Sequence, residues 1–292
     1  MENFRENIDR QIEFNRAKNF FSSNSVNSLA FTDDTMNAIK KLGVIGKEYE
    51  NILIDYSTDK CLQEFCRINQ YFSFNNEAKQ GLREIYVELF SSIKRKNESI
   101  DELSINHYNK LKNWLLKTNP YAEKVYQNHD AIIQPIACSE YSAEFQIELL
   151  QIDVSQLMEP VLDIGCGKQG NLVNHLRTQG IETFGIDRSA DDNSFSTNMD
   201  WLENEYENSK WGTIISNLGF SNHFNHHHLR KDGNFLEYAK KYMEILNSLK
   251  IGGQFFYAPS LPFIEKYLDR KHFNIDENEI SNYNATIVTR LK

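Results

Sequence analysis

Apolar residues recur at helical spacing through the first part of the chain. Between residues 82 and 93 they fall every three or four positions, at Leu82, Ile85, Tyr86, Leu89, Phe90 and Ile93. Comparable stripes run through residues 61–68 and 103–115, and the second stops at Asn119-Pro120 because the residue before a proline disfavours helical geometry. The pattern predicts a mainly helical N-terminal region, residues 1–130, with these stripes as its packing core.

Short apolar runs replace the helical stripes after Pro120. A helix is predicted from Ser142, a favoured N-cap residue, through the following AEFQIELLQIDVSQL. Buried strands are predicted at residues 161–164, 183–186, 213–216, 254–257 and 286–291. A further helix is predicted between the third and fourth of these strands, with one apolar stripe at Leu236, Ala239, Tyr242, Met243, Leu246 and Leu249.

This alternation of strands and helices is typical of α/β domains. It predicts a doubly wound, mostly parallel sheet with helices on both faces over residues 131–292. In such sheets, ligands bind at the carboxyl ends of the strands, where the strand order reverses. The residues that follow the predicted strands are therefore the first candidates for a functional site.

The composition narrows the classes of function. The 292 residues are 40% apolar, enough for a packed core, and the net charge of −9 disfavours a nucleic-acid partner. The four cysteines, Cys61, Cys66, Cys138 and Cys166, form neither a CxxC pair nor a metal-ligand spacing, which favours a reducing compartment and no metal site. The N-terminus lacks a signal-peptide core and no 18-residue apolar run occurs, so we expect a cytoplasmic protein without a membrane partner.

A glycine-rich segment, VLDIGCGKQGNLV, carries the clearest chemistry. A predicted strand leads into Gly165, Gly167 and Gly170, and a helix is predicted from Asn171. Glycines at such a place let the backbone turn sharply and approach a ligand closely. The next predicted strand ends in Asp187, 22 residues after Gly165, where a carboxylate can accept hydrogen bonds from both hydroxyls of a ribose.

Two classes of cofactor use a glycine loop followed by such an acid. The spacing Gly165-x-Gly167-x-x-Gly170 fits the dinucleotide fingerprint. Asp163, two residues before the first glycine, opposes a dinucleotide because a carboxylate beside the loop repels a pyrophosphate. The same carboxylate attracts a cation, and S-adenosylmethionine carries an ammonium and a sulfonium but no phosphate. The residues therefore favour S-adenosylmethionine as the cofactor.

The VLDIGCG segment resembles the first motif of class I S-adenosylmethionine-dependent methyltransferases, and the resemblance extends from Pro160 to Lys292. It implies a Rossmann-like sheet whose last strand inserts antiparallel. In that family the first acid and the glycine loop hold the methionine end of the cofactor, and the next acid binds its ribose. Here these roles fall to Asp163, the glycines and Asp187. Gln169 stands where the family often has a glycine, which follows one position later as Gly170.

The resemblance also implies the remaining contacts. An acid such as Asp200 lies at the adenine amino group, and Trp201 either lies beside the adenine ring or is a core residue. WGTIISNLGF resembles the fourth strand, whose end lies near the transferable methyl group. The expected cofactor-binding residues are Asp163, Gly165, Cys166, Gly167, Asp187, Arg188, Asp200, Trp201, Ser216 and Asn217. Arg188 and Ser189 are expected to face solvent.

Methyl transfer is an in-line displacement at carbon, so alignment and exclusion of water carry most of the catalysis. A base is needed only where the acceptor loses a proton. The segment Ser221–His228 follows the predicted fourth strand and contains His223, His226, His227 and His228. Three interpretations stay open: a proton acceptor, with His223 and His226 as candidates; a metal site, which no convergent acidic or cysteine residues support; and a polar segment without a chemical role.

The predicted activity is an S-adenosylmethionine-dependent methyltransferase acting on a small-molecule or peptide-like acceptor. The helical region would cover the cofactor and shape the acceptor pocket. The segment SNLGF lacks the prolines typical of enzymes that methylate adenine bases or glutamine amides, which disfavours those substrates. One alternative is a non-catalytic protein that senses the cofactor or serves as a scaffold. Another is an NAD-dependent oxidoreductase, which Asp163 opposes.

Overall fold

The computed structural model describes residues 4–22, 29–42, 45–127, 132, 140–280 and 283–292. The chain divides into two compact units, Met1–Cys138 and Ser139–Lys292. The boundary predicted between residues 130 and 131 lies outside the described residues, as does Cys138. Each unit has a hydrophobic core of its own.

Helices make up the described part of the first unit. They are α1 (Phe4–Phe14), α2 (Asp33–Leu42), α3 (Lys47–Ile68), α4 (Asn76–Arg95), α5 (Ile100–Thr118) and α6 (Tyr121–Tyr126). The inner face of α4 buries four of the six residues in the predicted stripe: Leu82, Tyr86, Phe90 and Ile93. A capping box formed by Ser99 and Glu102 starts α5, and Asn119 ends it. The predicted helical character of the N-terminal region is confirmed.

The second unit is built around a sheet that has seven strands in its described residues. They are β1 (Val161–Ile164), β2 (Thr183–Asp187), β3 (Ser196–Asn198), β4 (Trp211–Asn217), β5 (Leu249–Ala258), β6 (Phe273–Ile280) and β7 (Tyr283–Arg290). Their spatial order is β3-β2-β1-β4-β5-β7-β6. The pairs among β1 to β5 are parallel, and β7 is antiparallel to both β5 and β6. The predicted mostly parallel sheet with an antiparallel last strand is confirmed.

Helices cover both faces of this sheet. They are α7 (Ala143–Leu149), α8 (Asn171–Thr178), α9 (Phe220–His228), α10 (Phe235–Ser248) and α11 (Pro262–Glu265). Successive residues of a strand point to opposite faces, so neighbours in one strand pack into different cores. In β4, Ile214 joins the core that includes α9 and α10, whereas Ile215 joins the core that includes α7 and α8. None of the helices in the described ranges is long and apolar enough to cross a membrane.

Two of the helices differ in detail from their predictions. Ser142 caps α7 as predicted, but the helix ends at Leu149 because Gln151 takes a positive φ of 50°. In α10, Tyr242 and Leu246 of the predicted stripe are buried, and Ala239 and Met243 pack against the same core. Leu236 is exposed instead, and the buried Leu249 begins β5 rather than ending the helix. The apolar residues that face the core from α10 are Tyr238, Tyr242, Ile245 and Leu246.

Two strands have no counterpart among the predicted ones. The three residues of β3 are Ser196, Thr197 and Asn198, and no apolar run marks them. The edge strand β6 reads FNIDENEI, in which polar residues dominate because one side of an edge strand faces solvent. Both strands lie at the ends of the strand order, where burial is least.

Candidate functional site

The strand order reverses between β1 and β4, at the middle of the sheet. From β1 the chain continues outward to β2 and β3, whereas β4 lies on the other side of β1 and leads to β5. The loops after β1 and β4 therefore leave the same edge in different directions and open a crevice between them. Gly165 follows β1 and Gly219 follows β4, and a Cβ built on Gly165 would lie 3.7 Å from the Cα of Gly219.

The glycine loop after β1 requires glycine at three positions. Gly165, Gly167 and Gly170 have φ values of +86°, +74° and +58°, a region that side chains with a Cβ rarely adopt. Gly170 is the N-cap of α8, so the helix begins at Asn171 as predicted. A Cβ on Gly165 would lie 3.3 Å from the Trp201 ring, and bare backbone is what lets the loop pass so close to it.

The backbone N–H groups of this loop already have acceptors. Those of Gly165 and Cys166 donate to the carbonyl oxygen of Ile186, at 2.8 and 3.3 Å. The N–H of Gly167 donates to Oδ2 of Asp187 at 3.1 Å, and that of Lys168 donates to Oε1 of Glu140 at 3.0 Å. A dinucleotide fold presents such groups to a pyrophosphate. Here four successive N–H groups are directed at oxygens of the protein instead.

Asp163 lies beneath the loop, in the middle of β1. Its side chain is 1% exposed, and neither carboxylate oxygen has a hydrogen-bond partner among the described residues. Burial, with a further contribution from the negative charge of Asp187, raises the pKa of Asp163 to about 8. A buried carboxylate without partners is costly, and a cation beside it would stabilise the ionised form.

Glu140 adds a third acid that the sequence analysis missed. Besides holding the N–H of Lys168, its side chain lies 3.3 Å from where a Cβ of Gly167 would be. Asp163, Asp187 and Glu140 all act to raise the pKa of the Cys166 thiol, after the larger effect of burial. Three carboxylates therefore surround one loop, which favours a cationic ligand over a pyrophosphate. No spacing rule links Glu140 to a motif that begins more than twenty positions later.

Asp187 ends β2 and is half-buried. Its Oδ1 accepts from the N–H and the hydroxyl of Ser189, at 2.8 and 2.6 Å, while its Oδ2 accepts from Gly167. These bonds fix the carboxylate beside the glycine loop and leave Oδ2 able to accept one further hydrogen bond, because each oxygen can accept two. Ser189 is exposed as predicted, whereas Arg188 is half-buried rather than fully in solvent.

Trp201 is both a core residue and a neighbour of the loop. It is buried in the core that contains Phe220, and its indole N–H has no partner in the part of the chain that the structure describes. Asp200, just before it, is half-buried, and its Oδ1 accepts from the N–H of Leu202 at 2.9 Å. The side chain of Cys166 packs in a small cluster with Val173 and Ala190.

The end of β4 contains two more of the predicted cofactor-binding residues, Ser216 and Asn217, whose side chains differ in their hydrogen bonding. The Ser216 hydroxyl donates to the carbonyl of Ile164 at 2.8 Å and accepts from the N–H of Phe220 at 3.1 Å, so it joins β1 to the start of α9. The Asn217 amide is buried, and neither its nitrogen nor its oxygen has a partner among the described residues. Asn217 is therefore free to bind a ligand, whereas the Ser216 side chain is already engaged.

Leu218, directly after β4, is in a left-handed conformation with φ of +53°. Such a conformation costs a non-glycine residue about 1–3 kcal/mol and is concentrated at functional sites. The N–H of Leu218 donates to the carbonyl of Ala258 at the end of β5, which holds the turn in place.

The histidine segment forms the helix α9, so its four imidazoles lie on different sides of the helix and have different neighbours. His223 is buried, and its ring meets that of Trp201 edge-on at 4.8 Å between centroids. Its Nδ1 lies 3.5 Å from the hydroxyl of Tyr238. Burial, together with the positive charge of Arg188, lowers the pKa of His223 well below its ordinary value, so the ring is neutral at working pH.

The other histidines face different surroundings. The Nε2 of His226 lies 3.1 Å from Nη1 of Arg230, and burial lowers its pKa to about 4. His227 accepts from the N–H of Asn234 and stacks on Tyr238, while the exposed His228 stacks on Phe263. Within the described ranges, no three histidine, cysteine or acidic side chains are grouped so that they could hold a metal ion.

No protein-family model matches the chain, and no curated protein matches it. Similar solved structures include a TehB-like SAM-dependent methyltransferase from Corynebacterium glutamicum, with 17% identity over 47% of this chain and 85% of that chain and a TM-score of 0.34. An rRNA methylase from Streptococcus thermophilus has 16% identity over 53% and 100% of the two chains and a TM-score of 0.35.

A third is 1,6-didemethyltoxoflavin-N1-methyltransferase from Burkholderia thailandensis, solved with 1,6-didemethyltoxoflavin and S-adenosylhomocysteine bound. It has 14% identity over 51% of this chain and 76% of that chain, and its TM-score is 0.34. These likenesses concern the fold of about half the chain. The mostly parallel sheet, its reversal at β1 and β4 and its antiparallel last strand form a Rossmann-like fold, the one that the resemblance to class I methyltransferases implies.

Proposed function

We propose that the unit Ser139–Lys292 binds S-adenosylmethionine and transfers its methyl group to a small-molecule or peptide-like acceptor. One observation carries the proposal: the buried carboxylate of Asp163 lies beneath a glycine loop, and both its oxygens lack a partner in the described chain. A cation beside it is the partner that stabilises the ionised form of such a group. The ammonium of S-adenosylmethionine supplies one, whereas the pyrophosphate of NAD would add negative charge.

The remaining residues fit the same cofactor. Asp187 has one acceptor position left, on Oδ2, for a ribose hydroxyl, at the end of the strand next to β1. Asn217 offers an unused amide at the end of β4, the strand that pairs with β1. The ring of Trp201 packs against the glycine loop, where it excludes water. Cys166, Arg188, Asp200 and Ser216 complete the proposed set, Ser216 through its backbone because its hydroxyl is engaged.

When bound, the cofactor supplies a methyl group on an excellent leaving group, so the chain contributes mainly orientation and a dry site. His223 is the better placed of the two proposed proton acceptors, because its ring contacts Trp201 and Trp201 contacts the glycine loop. His226 lies one helical turn further along α9, beside Arg230. A neutral imidazole at His223 is in the protonation state that can accept a proton from an acceptor hydroxyl or amine.

We expect Asp187→Ala to weaken binding of S-adenosylhomocysteine, the demethylated product, by at least about tenfold. The carboxylate would accept a charge-assisted hydrogen bond from ribose, which contributes about 1.5–3 kcal/mol, and it also fixes the loop through Gly167. Isothermal titration calorimetry measures the change. Ser189→Ala is the matched control, because it removes one bond to Asp187 and leaves the carboxylate. Equal affinity of wild type and Asp187→Ala would contradict the ribose role.

A further inference from the structure

The residues just before α7 lie against the glycine loop. Oε1 of Glu140 accepts from the N–H of Lys168 at 3.0 Å, and the Cγ of Glu140 lies 3.3 Å from where a Cβ of Gly167 would be. The carbonyl of Tyr141 accepts from Nδ2 of Asn171, the first residue of α8, at 3.0 Å. Glu140 and Tyr141 therefore form a strap that is bound to the loop and to the helix that follows it.

The four engaged N–H groups of the loop differ in how firmly their acceptors are held. Two of them donate to the main-chain carbonyl of Ile186, and the third donates to Asp187, which two bonds from Ser189 also hold. The fourth, that of Lys168, donates to an exposed side chain, and Glu140 forms no other hydrogen bond among the described residues. An exposed carboxylate loses little when it exchanges one N–H for water. Glu140 is therefore the acceptor that a ligand can replace.

The methionine end of S-adenosylmethionine has a carboxylate as well as an ammonium, and both groups are attached to the same carbon. An ammonium bound by Asp163 beneath the loop therefore brings this carboxylate to the loop as well. It then needs hydrogen-bond donors, because a carboxylate that leaves water without partners is costly. The N–H of Lys168 is such a donor, and the group that it now holds is itself a carboxylate.

We propose that Glu140 takes the position of the cofactor's carboxylate when no cofactor is bound, and that the cofactor displaces it on binding. The inference rests on the proposed cofactor role of this unit. Either carboxylate can accept from the N–H of Lys168, so the exchange leaves the loop with the same number of hydrogen bonds. The competition lowers the affinity for S-adenosylmethionine and S-adenosylhomocysteine, which both carry the carboxylate, and it does not act on a ligand without one.

Glu140→Ala removes the competing carboxylate, so S-adenosylhomocysteine should bind roughly three- to tenfold more tightly, the effect of one net hydrogen bond. The second probe is 5′-methylthioadenosine, which keeps the adenine, the ribose and the sulfur but lacks the amino-acid end. Its affinity should be the same for wild type and variant. Calorimetric titration of the full chain measures both affinities. The bond between Tyr141 and Asn171 remains in the variant and keeps the strap in position.

Glu144→Ala is the matched control. It removes the same charge from an exposed position in α7, where Oε1 of Glu144 lies 3.8 Å from Nδ1 of His175. Its affinity for S-adenosylhomocysteine should equal that of wild type, and a gain as large as that of Glu140→Ala would reduce the effect to net charge and overturn the proposal. Glu140→Gln keeps an oxygen for Lys168 without the charge. Its affinity should fall between those of wild type and Glu140→Ala, because a neutral acceptor competes less strongly.

Hydrogen exchange of the Lys168 amide, measured by NMR, reports which group accepts its bond. Without ligand, this amide should exchange faster in Glu140→Ala than in wild type, because its acceptor is gone. S-adenosylhomocysteine should slow the exchange in the variant, whereas 5′-methylthioadenosine should not.

Three results would overturn the proposal. Weaker binding of S-adenosylhomocysteine to Glu140→Ala would show that Glu140 binds the ammonium. An equal gain in affinity for both ligands would show that the strap only covers the site. A Lys168 amide that S-adenosylhomocysteine does not protect in the variant would show that the cofactor's carboxylate lies elsewhere. If wild type binds neither ligand, the cofactor role itself fails, and this inference fails with it.

Discussion

Asp163→Asn should weaken binding of S-adenosylhomocysteine by about 100-fold or more, and it should stabilise the free protein at the same time. Removing one partner of a buried ion pair costs roughly 3–5 kcal/mol, which corresponds to a loss of this size. Without a cofactor, however, the carboxylate has no partner among the described residues, so its negative charge destabilises the folded protein. An asparagine keeps the shape and removes the charge.

The stability gain should depend on pH. Burial holds the pKa of Asp163 at about 8 in the folded protein, above the value of an unfolded aspartate. The folded state therefore binds this proton more tightly, and wild-type stability falls as the pH rises from about 4 to about 8. Urea unfolding should show Asp163→Asn more stable than wild type by at least about 1 kcal/mol at pH 8, the equivalent of one pKa unit, with little difference near pH 4. A variant less stable than wild type at pH 8 would show that Asp163 is ionised and satisfied without a ligand.

His223→Phe should lower the turnover number by about 100-fold or more while the affinity for S-adenosylhomocysteine stays unchanged, if His223 accepts a proton from the acceptor. Phenylalanine preserves the ring that meets Trp201 and removes both nitrogens. The assay uses an acceptor found by screening with S-adenosylmethionine labelled in the methyl group. An unchanged turnover number would remove His223 from the chemistry.

His226→Phe is the matched comparison for this prediction. It makes the same replacement on the same helix, one turn further along, beside Arg230 rather than Trp201. A loss of turnover in His226→Phe alone would transfer the proton-accepting role to that residue. A loss of cofactor affinity in His223→Phe, with turnover of the bound complex preserved, would instead show that His223 only positions Trp201.

The central part of the sheet could be predicted from sequence because its strands are buried on both faces. Val161–Ile164 matches the predicted strand at both ends, and all seven residues of β4 are buried. The edge strand β6 could not be found in the same way, since its polar residues give no continuous apolar run. In α10 the exposure of Leu236 was missed, because apolar residues also occur on protein surfaces and the apolar pattern does not mark which ones do.

In the candidate site, too, the residues that local sequence predicts differ from those that depend on tertiary contacts. The glycine loop, Asp163 and Asp187 follow from local spacing, because strand, turn and helix determine where they lie. Glu140 depends on how a distant segment folds over the loop, which no spacing encodes. The engaged hydroxyl of Ser216 likewise depends on a neighbouring strand, through the carbonyl of Ile164.

Calorimetric titration of the full chain with S-adenosylhomocysteine and with NAD, at pH 7 in two buffers of different ionisation enthalpy, tests the central claim most directly. We expect micromolar binding of S-adenosylhomocysteine, about −8 kcal/mol, and no comparable binding of NAD. Because the pKa of Asp163 is about 8 in the free protein and an adjacent ammonium favours the carboxylate, binding should release close to one proton, and affinity should rise between pH 6 and pH 8. Tight binding of NAD without a response to S-adenosylhomocysteine would contradict the account.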